Sequence, residues 1–235
     1  MMKPTRVLIV DDERAAREEL KMALALHADM IVVGEARDAD EAYEAIATAT
    51  PDLVFLDVQM PEKSGFDLLE MLDDVPTVIF LTAHHEYAVQ AFEVNALDYI
   101  LKPFREERLA RALDKVRTKI LSETAAHERQ LFLKEGTRCY FLRAGEITLI
   151  ESLENYSRVY FRNTKVLMKR SLNQWEKLLD ASLFFRVSRT KIVNLSHVAE
   201  VKPGDNGRLR LLLTGGLKAD VSSRQSAKFK NLNNL

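Results

Sequence analysis

The chain is poor in the features that mark secreted and membrane proteins. Its 235 residues include a single cysteine, so no disulfide can form within the chain, and a reducing compartment, the cytoplasm, is expected. No apolar run approaches the length that crosses a membrane, so membrane insertion is not expected. The first predicted strand begins a few residues after Met1, and we therefore also expect no signal peptide.

The second half of the chain lacks the residue patterns that catalysis needs. Residues 131–235 contain no Ser/His/Asp arrangement, no Cys/His metal spacing and no glycine loop for a phosphate. His84 and His85 are adjacent, but no further histidine or cysteine lies at metal-ligand spacing, so we expect them to begin a helix. We predict that the chain is not an enzyme with an activity of its own.

The charge is divided unevenly along the chain, although the net charge is only −1. Residues 1–122 carry 24 acidic and 14 basic side chains, a net charge of −10. Residues 131–235 carry 9 acidic and 19 basic side chains, a net charge of +10. This asymmetry favours a basic half that meets a polyanion, and the alternative is that the two halves dock on each other.

Two strands of the first half are predicted to end in aspartate. The apolar run 53–56 precedes Asp57, and the apolar run 7–10 precedes Asp11 and Asp12. Such runs are typical of parallel strands that are buried on both faces. Because ligands bind beyond the carboxyl ends of strands in open α/β sheets, we expect the three carboxylates to lie together. Their mutual repulsion calls for a cation, and Mg²⁺ favours oxygen ligands of this kind.

Two later strands are predicted to end in groups that suit a phosphoryl group. Residues 78–81 precede Thr82, a hydroxyl, and residues 99–101 precede Lys102, an ammonium. Carboxylates, a hydroxyl and an ammonium at one edge of a sheet can hold a phosphoryl group that is carried on a carboxylate.

Strands and amphipathic helices alternate through the first half. Five strand–helix repeats predict an α/β fold, a doubly wound parallel sheet with right-handed crossovers. The remaining strand is predicted at 31–33, and the helices at 14–27, 38–48, after Gly65, at 86–93 and at 105–121.

The pattern changes in the middle of the chain. Residues 1–122 form the first predicted domain, and the polar residues 123–130 form a linker, which could extend the preceding helix. Residues 131–235 contain short β-rich segments separated by turns, which predicts a mostly β second domain. Two helices are expected there, one at 171–179 with Trp175 facing the core and one from Ser223 onward.

The first half resembles the receiver domain of two-component response regulators, a flavodoxin-like fold. The residues that carry the resemblance are Asp11-Asp12, Asp57, Met60-Pro61, Gly65, Thr82-Ala83 and Lys102-Pro103. The resemblance implies that a sensor histidine kinase phosphorylates Asp57. It also implies that receiver domains pair into a homodimer through the face built by the helix at 86–93, the fifth strand and the helix at 105–121.

The same resemblance implies a role for each residue of the pocket. Asp12, Asp57 and the carbonyl of Gln59 would bind Mg²⁺, with Asp11 assisting. Thr82 and Lys102 would contact the phosphoryl oxygens, and the Lys102–Pro103 peptide bond is expected to be cis. Tyr99 matches the family's switch aromatic, which moves together with Thr82, although packing alone also explains a tyrosine in a buried strand.

Basic residues of the second half stand beside hydroxyl and amide residues in three places, at 155–158, 186–191 and 222–230. Such clusters suit contacts with DNA phosphates and base edges. The region also resembles the LytTR DNA-binding domain. The residues that carry this resemblance are Ile150-Glu151-Ser152, Asn155-Tyr156, Ser171-Leu172, the segment 185–195 and Val221-Ser222-Ser223-Arg224.

The LytTR resemblance implies that loops on a β-sheet fold enter successive major grooves of double-stranded DNA. It implies base reading by Ser157, Arg189 and Arg224. Phosphate contacts are expected from Asn155, Arg158, Lys191 and Lys228. Three alternatives stay open at this point: a β domain that binds protein or RNA, a catalytic output half, and regulation without phosphate.

Overall fold

The computed structural model describes residues 3–83, 96–123, 129–136, 138–204 and 208–232. The chain divides into two compact units, Met1–Leu142 and Arg143–Leu235. The predicted helix at 86–93, His84 and His85 lie outside the described residues, as does most of the predicted linker. Among the helices that are described, none is both long and apolar enough to cross a membrane.

The first unit contains the predicted parallel sheet. Its strands run in the order β2-β1-β3-β4-β5, and all neighbours are parallel, which confirms the doubly wound α/β fold. The strands are β1 (Thr5–Val10), β2 (Met30–Ala36), β3 (Leu53–Leu56), β4 (Thr77–Thr82) and β5 (Asp98–Leu101), and the helices are α1 (Arg14–Leu24), α2 (Ala39–Ala49), α3 (Gly65–Met71) and α4 (Glu106–Glu123).

The apolar runs form the central strands because both faces of the sheet are covered. Side chains that alternate along β1 and β3 enter two separate cores, one on each face. The helix starts follow local chemistry as well. Asp38 caps α2 by accepting a hydrogen bond from the backbone N–H of Glu41, and Ser64 caps α3 by accepting one from the N–H of Asp67.

A β-hairpin, β6 (Gln130–Glu135) and β7 (Arg138–Arg143), packs against α3 within the first unit. Phe132 stacks on Phe66 of α3, with ring centroids 6.2 Å apart, and meets the edge of Phe141 at 5.1 Å. Lys134 Nζ lies 2.9 Å from Asp67 Oδ1. The sequence places this hairpin in the second domain, from residue 131, whereas it shares a core with the first unit. The domain boundaries at 122 and 131 stay predictions.

The second unit is mostly β, as predicted. A five-stranded antiparallel sheet has the order β10-β9-β8-β12-β11, and a three-stranded sheet has the order β13-β14-β15. The strands are β8 (Ile147–Leu153), β9 (Tyr156–Phe161), β10 (Thr164–Met168), β11 (Phe184–Arg186), β12 (Lys191–Asn194), β13 (Val198–Pro203), β14 (Leu209–Leu213) and β15 (Lys218–Val221), and the helices are α5 (Leu172–Leu178) and α6 (Ser223–Leu232).

Candidate functional site

Three aspartates converge at the carboxyl edge of the parallel sheet. Asp11 and Asp12 follow β1, and Asp57 follows β3, the neighbouring strand. One carboxylate oxygen from each residue lies within 4.8 Å of the others. Asp11 and Asp57 are buried, whereas Asp12 is exposed at the mouth of the site. The strand ends therefore bring together the carboxylates that the sequence predicts.

Lys102 supplies the countercharge from the end of β5. Its Nζ lies 2.6 Å from Asp57 Oδ2 and 2.5 Å from Asp11 Oδ2. The following peptide bond, Lys102–Pro103, is cis as expected. One ammonium thus bridges two buried carboxylates that belong to different strands, which offsets the cost of burying their charges.

Burial and charge act in opposite directions on the titration of this cluster. Burial raises the pKa of the Asp11 carboxyl, and the hydrogen bond and charge of Lys102 offset part of that effect. Burial alone would lower the pKa of Lys102, but its hydrogen bonds to Asp11 and Asp57 outweigh burial and raise that pKa above its ordinary value. Lys102 therefore stays charged at neutral pH.

A solvent-open cavity of about 440 Å³ lies over the cluster, lined by Asp12, Asp57, Gln59 and Lys102. Gln59 donates its backbone N–H to Asp57 Oδ1 at 3.0 Å, which fixes one carboxylate oxygen. Two further lining residues, Glu13 and Ser64, were not predicted from the sequence. Ser64 could have been found from the capping pattern Ser64-x-x-Asp67.

The two predicted switch residues occupy neighbouring strands. Thr82, the last residue of β4, is fully buried, and the register pairs Phe80 with Tyr99 on β5. Tyr99 is half-buried and packs against the core on one face of the sheet. Packing therefore contributes to the placement of Tyr99, as the alternative interpretation held.

Gly65 brings α3 close to the backbone of Asp57. A Cβ at this position would lie 2.3 Å from the carbonyl oxygen of Asp57, which is closer than any side chain could tolerate. The N–H of Gly65 donates to the carbonyl of Val58 at 2.9 Å. The turn after β3 thus requires glycine because the start of α3 rests on the backbone of Asp57.

The donor set fits Mg²⁺. Asp11, Asp12 and Asp57 offer only oxygen atoms, which lie within 4.8 Å of one another. Asp12 and Asp57 line a cavity that is open to water on one side. Mg²⁺ favours one or two carboxylates together with several waters and phosphate oxygens. The residues that are present therefore suit this ion.

In the second unit, four of the predicted DNA contacts are exposed. They are Asn155 in the turn between β8 and β9, Arg189 between β11 and β12, and Arg224 and Lys228 on α6. Within the described ranges, no carboxylate lies at salt-bridge distance from Arg189, Arg224 or Lys228. Their positive charge is therefore available to a polyanion.

The other two predicted phosphate contacts share one carboxylate. Glu151 of β8 lies 3.2 Å from Nζ of Lys191 and 3.9 Å from Nη1 of Arg158, measured from its two carboxylate oxygens. In the sequence, Glu151 stands out only as part of the motif Ile150-Glu151-Ser152. Its pairing with both cations depends on strand register, which the sequence alone does not give.

The predicted role of Ser157 in reading bases requires a correction. Its side chain is completely buried, and its Oγ accepts a hydrogen bond from Nε1 of Trp175 at 2.7 Å. A side chain in that position does not reach a base edge. Trp175 is itself fully buried on α5, which confirms the prediction that it belongs to the core.

Comparison with known proteins accounts for both halves. The response regulator receiver domain matches residues 7–114, and the LytTr DNA-binding domain matches residues 125–234. Sensory transduction protein LytT of Enterococcus faecalis is 35% identical over 234 residues, which cover 95% of this chain and 97% of that protein. The chain belongs to the LytTR family of response regulators.

Two further similarities concern the whole chain and its first half. Transcriptional regulatory protein BtsR of Salmonella typhi is 37% identical over 240 residues, which cover 96% of this chain and 97% of that protein. The response regulatory domain of protein mrkE from Klebsiella pneumoniae is 35% identical and covers 50% of this chain and 98% of that domain, with a TM-score of 0.46. This response regulator is a transcriptional regulator with a DNA-binding output domain, not an enzyme.

The β6–β7 hairpin belongs to the LytTr domain by sequence but packs with the first unit in the structure. The match begins at residue 125 and therefore includes β6 and β7, yet both strands pack within the compact unit Met1–Leu142. A segment that the response regulator shares with other LytTR domains thus contributes to the core beside α3.

Proposed function

We propose that this response regulator works in the cytoplasm, where a sensor histidine kinase phosphorylates Asp57 and thereby controls dimerisation and sequence-specific binding to DNA. The observation that carries the proposal is the ammonium of Lys102, held between Asp57 at 2.6 Å and Asp11 at 2.5 Å beneath an open cavity. This arrangement suits an aspartate that gains a phosphoryl group.

The proposed transfer uses side chains at the carboxyl ends of β3, β4 and β5. A carboxylate oxygen of Asp57 attacks the phosphorus of the kinase's phosphohistidine, the new O–P bond forms, and the P–N bond breaks as the histidine leaves. Lys102 and the hydroxyl of Thr82 contact the phosphoryl oxygens as their charge increases. Asp12, Asp57 and the carbonyl of Gln59, with Asp11 assisting, would hold Mg²⁺, which would supply further neutralisation of that charge.

The proposed switch connects the pocket to the dimer face. Phosphorylation adds negative charge and acceptor oxygens, towards which Thr82 and Lys102 turn, and Tyr99 follows Thr82. The altered face includes β5 and α4, and a homodimer forms through it. Two linked DNA-binding domains then bind a repeated site more tightly, because the second contact becomes intramolecular.

The proposed DNA surface consists of loop and helix residues of the second unit. Arg189 and Arg224 read bases, whereas Asn155, Lys228, Arg158 and Lys191 contact phosphates. The exposure of Asn155, Arg189, Arg224 and Lys228 supports this assignment, as does the net charge of +10 over residues 131–235. Ser157 is left out because it is buried.

Phosphorylation of Asp57 is tested directly with a small phosphodonor such as acetyl phosphate. Asp57→Asn is compared with Asp52→Asn, which changes an exposed aspartate at the other end of β3. We expect an acid-labile phosphoryl group on the wild type and on Asp52→Asn, detected by intact-protein mass spectrometry, and none on Asp57→Asn. Continued labelling of Asp57→Asn would refute the assignment.

A further inference from the structure

The carboxylate of Glu151 lies between two cations on one face of the five-stranded sheet. Register places Glu151 of β8 opposite Lys191 of β12 on one side and opposite Arg158 of β9 on the other. The distances are 3.2 Å to Lys191 and 3.9 Å to Arg158, and the hydroxyl of Tyr160 lies 3.2 Å from Glu151 Oε2. One negative charge thus faces two positive charges.

Partial burial strengthens the electrostatic attraction between Glu151 and its two cations. The side chains of Glu151, Lys191 and Arg158 are 24%, 26% and 32% exposed, so solvent screens their charges less than it screens charges at the surface. The backbone next to Glu151 is also fixed, because Ser152 donates its N–H to the carbonyl of Thr190 at 2.8 Å. The three charged groups are therefore held beside the loop that carries Arg189.

The five basic residues that are predicted to contact DNA consequently fall into two groups. Arg189, Arg224 and Lys228 are exposed, and no carboxylate of the described segments lies within ion-pair distance of them. Lys191 and Arg158 share Glu151. The affinity for DNA of any sequence depends on the number of phosphates that the protein's cations neutralise. Each neutralised phosphate also makes the affinity fall more steeply with salt concentration. A carboxylate beside two cations lowers that number.

We propose that Glu151 is a specificity-determining residue, which withholds Lys191 and Arg158 from sequence-independent DNA binding and positions them for the correct site alone. The inference rests on the proposed DNA-binding function. On a duplex of the wrong sequence, Glu151 repels the phosphates and neutralises its two partners. On the correct duplex, contacts from Arg189 and Arg224 hold the DNA close enough for phosphates to compete with Glu151 for both cations.

The chain offers a matched pair of variants for the test. Glu151→Gln removes the charge but keeps the shape and an acceptor for Tyr160. Glu154→Gln removes the same charge from the exposed β8–β9 turn, where no cation of the described residues pairs with it. The full-length proteins are titrated by fluorescence anisotropy against a duplex selected from a random pool by the wild type and against a shuffled duplex, over a range of salt concentrations.

We expect Glu151→Gln to bind the shuffled duplex about tenfold more tightly than the wild type at low salt, with a salt slope steeper by about 1 to 2, since up to two further phosphates are neutralised. Its affinity for the selected duplex should rise less, so the ratio of the two affinities falls. Glu154→Gln should change both affinities by the same small factor. Equal behaviour of the two variants, or an unchanged salt slope in Glu151→Gln, would overturn the inference.

A second substitution keeps the test independent of any folding defect in Glu151→Gln. Lys191→Gln should weaken binding to the selected duplex several-fold more than binding to the shuffled duplex, because Glu151 neutralises Lys191 on the wrong sequence. An equal or larger loss on the shuffled duplex would contradict the proposal, since Lys191 would then contribute as much to sequence-independent binding. If the wild type prefers neither duplex, the proposed DNA-binding function itself fails, and this inference fails with it.

Discussion

At the scale of single residues, Gly65 lets the start of α3 rest on the backbone of Asp57. Replacing it with alanine would place a Cβ 2.3 Å from a backbone oxygen, so either β3 or α3 must shift. We expect Gly65→Ala to lower the free energy of unfolding by about 1–3 kcal/mol, the usual cost of forcing an atom into a packed site. Urea unfolding of the full-length protein measures the loss.

Gly204→Ala is the control for this substitution. A Cβ at Gly204 meets the carbonyl oxygen of Arg208 at 3.4 Å, an ordinary contact, so we expect a change of less than about 0.5 kcal/mol. Equal stability of the two variants would show that the turn after β3 adapts freely and that α3 does not constrain Asp57.

Asp67 gives a pH-dependent prediction. Burial acts to raise the pKa of its carboxyl, but hydrogen bonds from Ser64 and Lys134 bring the pKa down to about 2, below the ordinary value of 3.8. A lowered folded-state pKa stabilises the fold above the ordinary pKa, and this contribution disappears as pH falls towards the folded-state value. The side chain is 43% exposed, so solvent reduces the effect.

Asp67→Asn should therefore be less stable than the wild type at neutral pH, by about 1 kcal/mol or less. The difference should narrow as the pH falls from about 4 towards 2, because the wild-type carboxyl becomes protonated. Urea unfolding at several pH values checks this. A difference that stays constant across that interval would show that the charge of Asp67 contributes nothing.

The positions of some functional residues can be predicted from the sequence, whereas the contacts of others cannot. Asp11, Asp57 and Lys102 were found because each follows a strongly apolar strand, and parallel strands end at one edge. Ser157 was misassigned because its burial depends on Trp175, 18 residues away along the chain. No local pattern reports such a contact. The role of Glu151 was missed for the same reason, since its partners come from two other strands.

At the scale of secondary-structure elements, the β6–β7 hairpin gives the first unit part of its core. Lys134 of β6 pairs with Asp67 on α3, and Cys139 of β7 is buried with the pKa of its thiol raised by burial to about 11. Cys139 is the single cysteine of the chain, so thiol labelling reports the opening of this hairpin alone.

Lys134→Met should speed the labelling of Cys139 in the full-length protein by about threefold to tenfold, because the lost ion pair and hydrogen bond make local opening easier. Lys165→Met is the control, since Lys165 lies on β10 of the second unit. Reaction with a chromogenic disulfide reagent under native conditions measures the rates. Labelling of both variants at the wild-type rate would indicate that the Lys134–Asp67 pair does not hold the hairpin.

The sequence predicted the long periodic elements well and the short ones less well. Helix α2 starts directly after Asp38, its predicted N-cap, and α3 starts at Gly65, close to the predicted position. Such starts can be predicted because capping is local. Strands β11 and β12 were not predicted as strands, since they are three and four residues long and a polar loop separates them. The pair Ile192-Val193 is the one β-branched signal there. The sequence predicts short β-rich segments and turns from residue 131 onward, but it does not predict that the β6–β7 hairpin packs against α3.

At the scale of the whole molecule, the opposite charges of the two halves fit a regulator whose two tasks are separate. The half with net charge −10 contains the aspartate cluster where we propose phosphorylation, and the half with net charge +10 contains the cations that we propose contact DNA. Composition predicts this division because it needs only a count of side chains. Composition does not predict which cations are neutralised by a neighbouring carboxylate, because those pairs depend on how the strands pack.

We propose that a phosphoryl group on Asp57 strengthens the binding of DNA. The most direct test measures the affinity of the full-length protein for a selected duplex with and without acetyl phosphate and Mg²⁺, with phosphorylation verified by mass spectrometry. We predict that the wild type binds at least about tenfold more tightly once phosphorylated, since dimerisation makes the second contact intramolecular, and that Asp57→Asn does not respond. An unchanged affinity of the phosphorylated wild type, or an equal response of Asp57→Asn, would contradict the proposal that phosphorylation of Asp57 controls DNA binding.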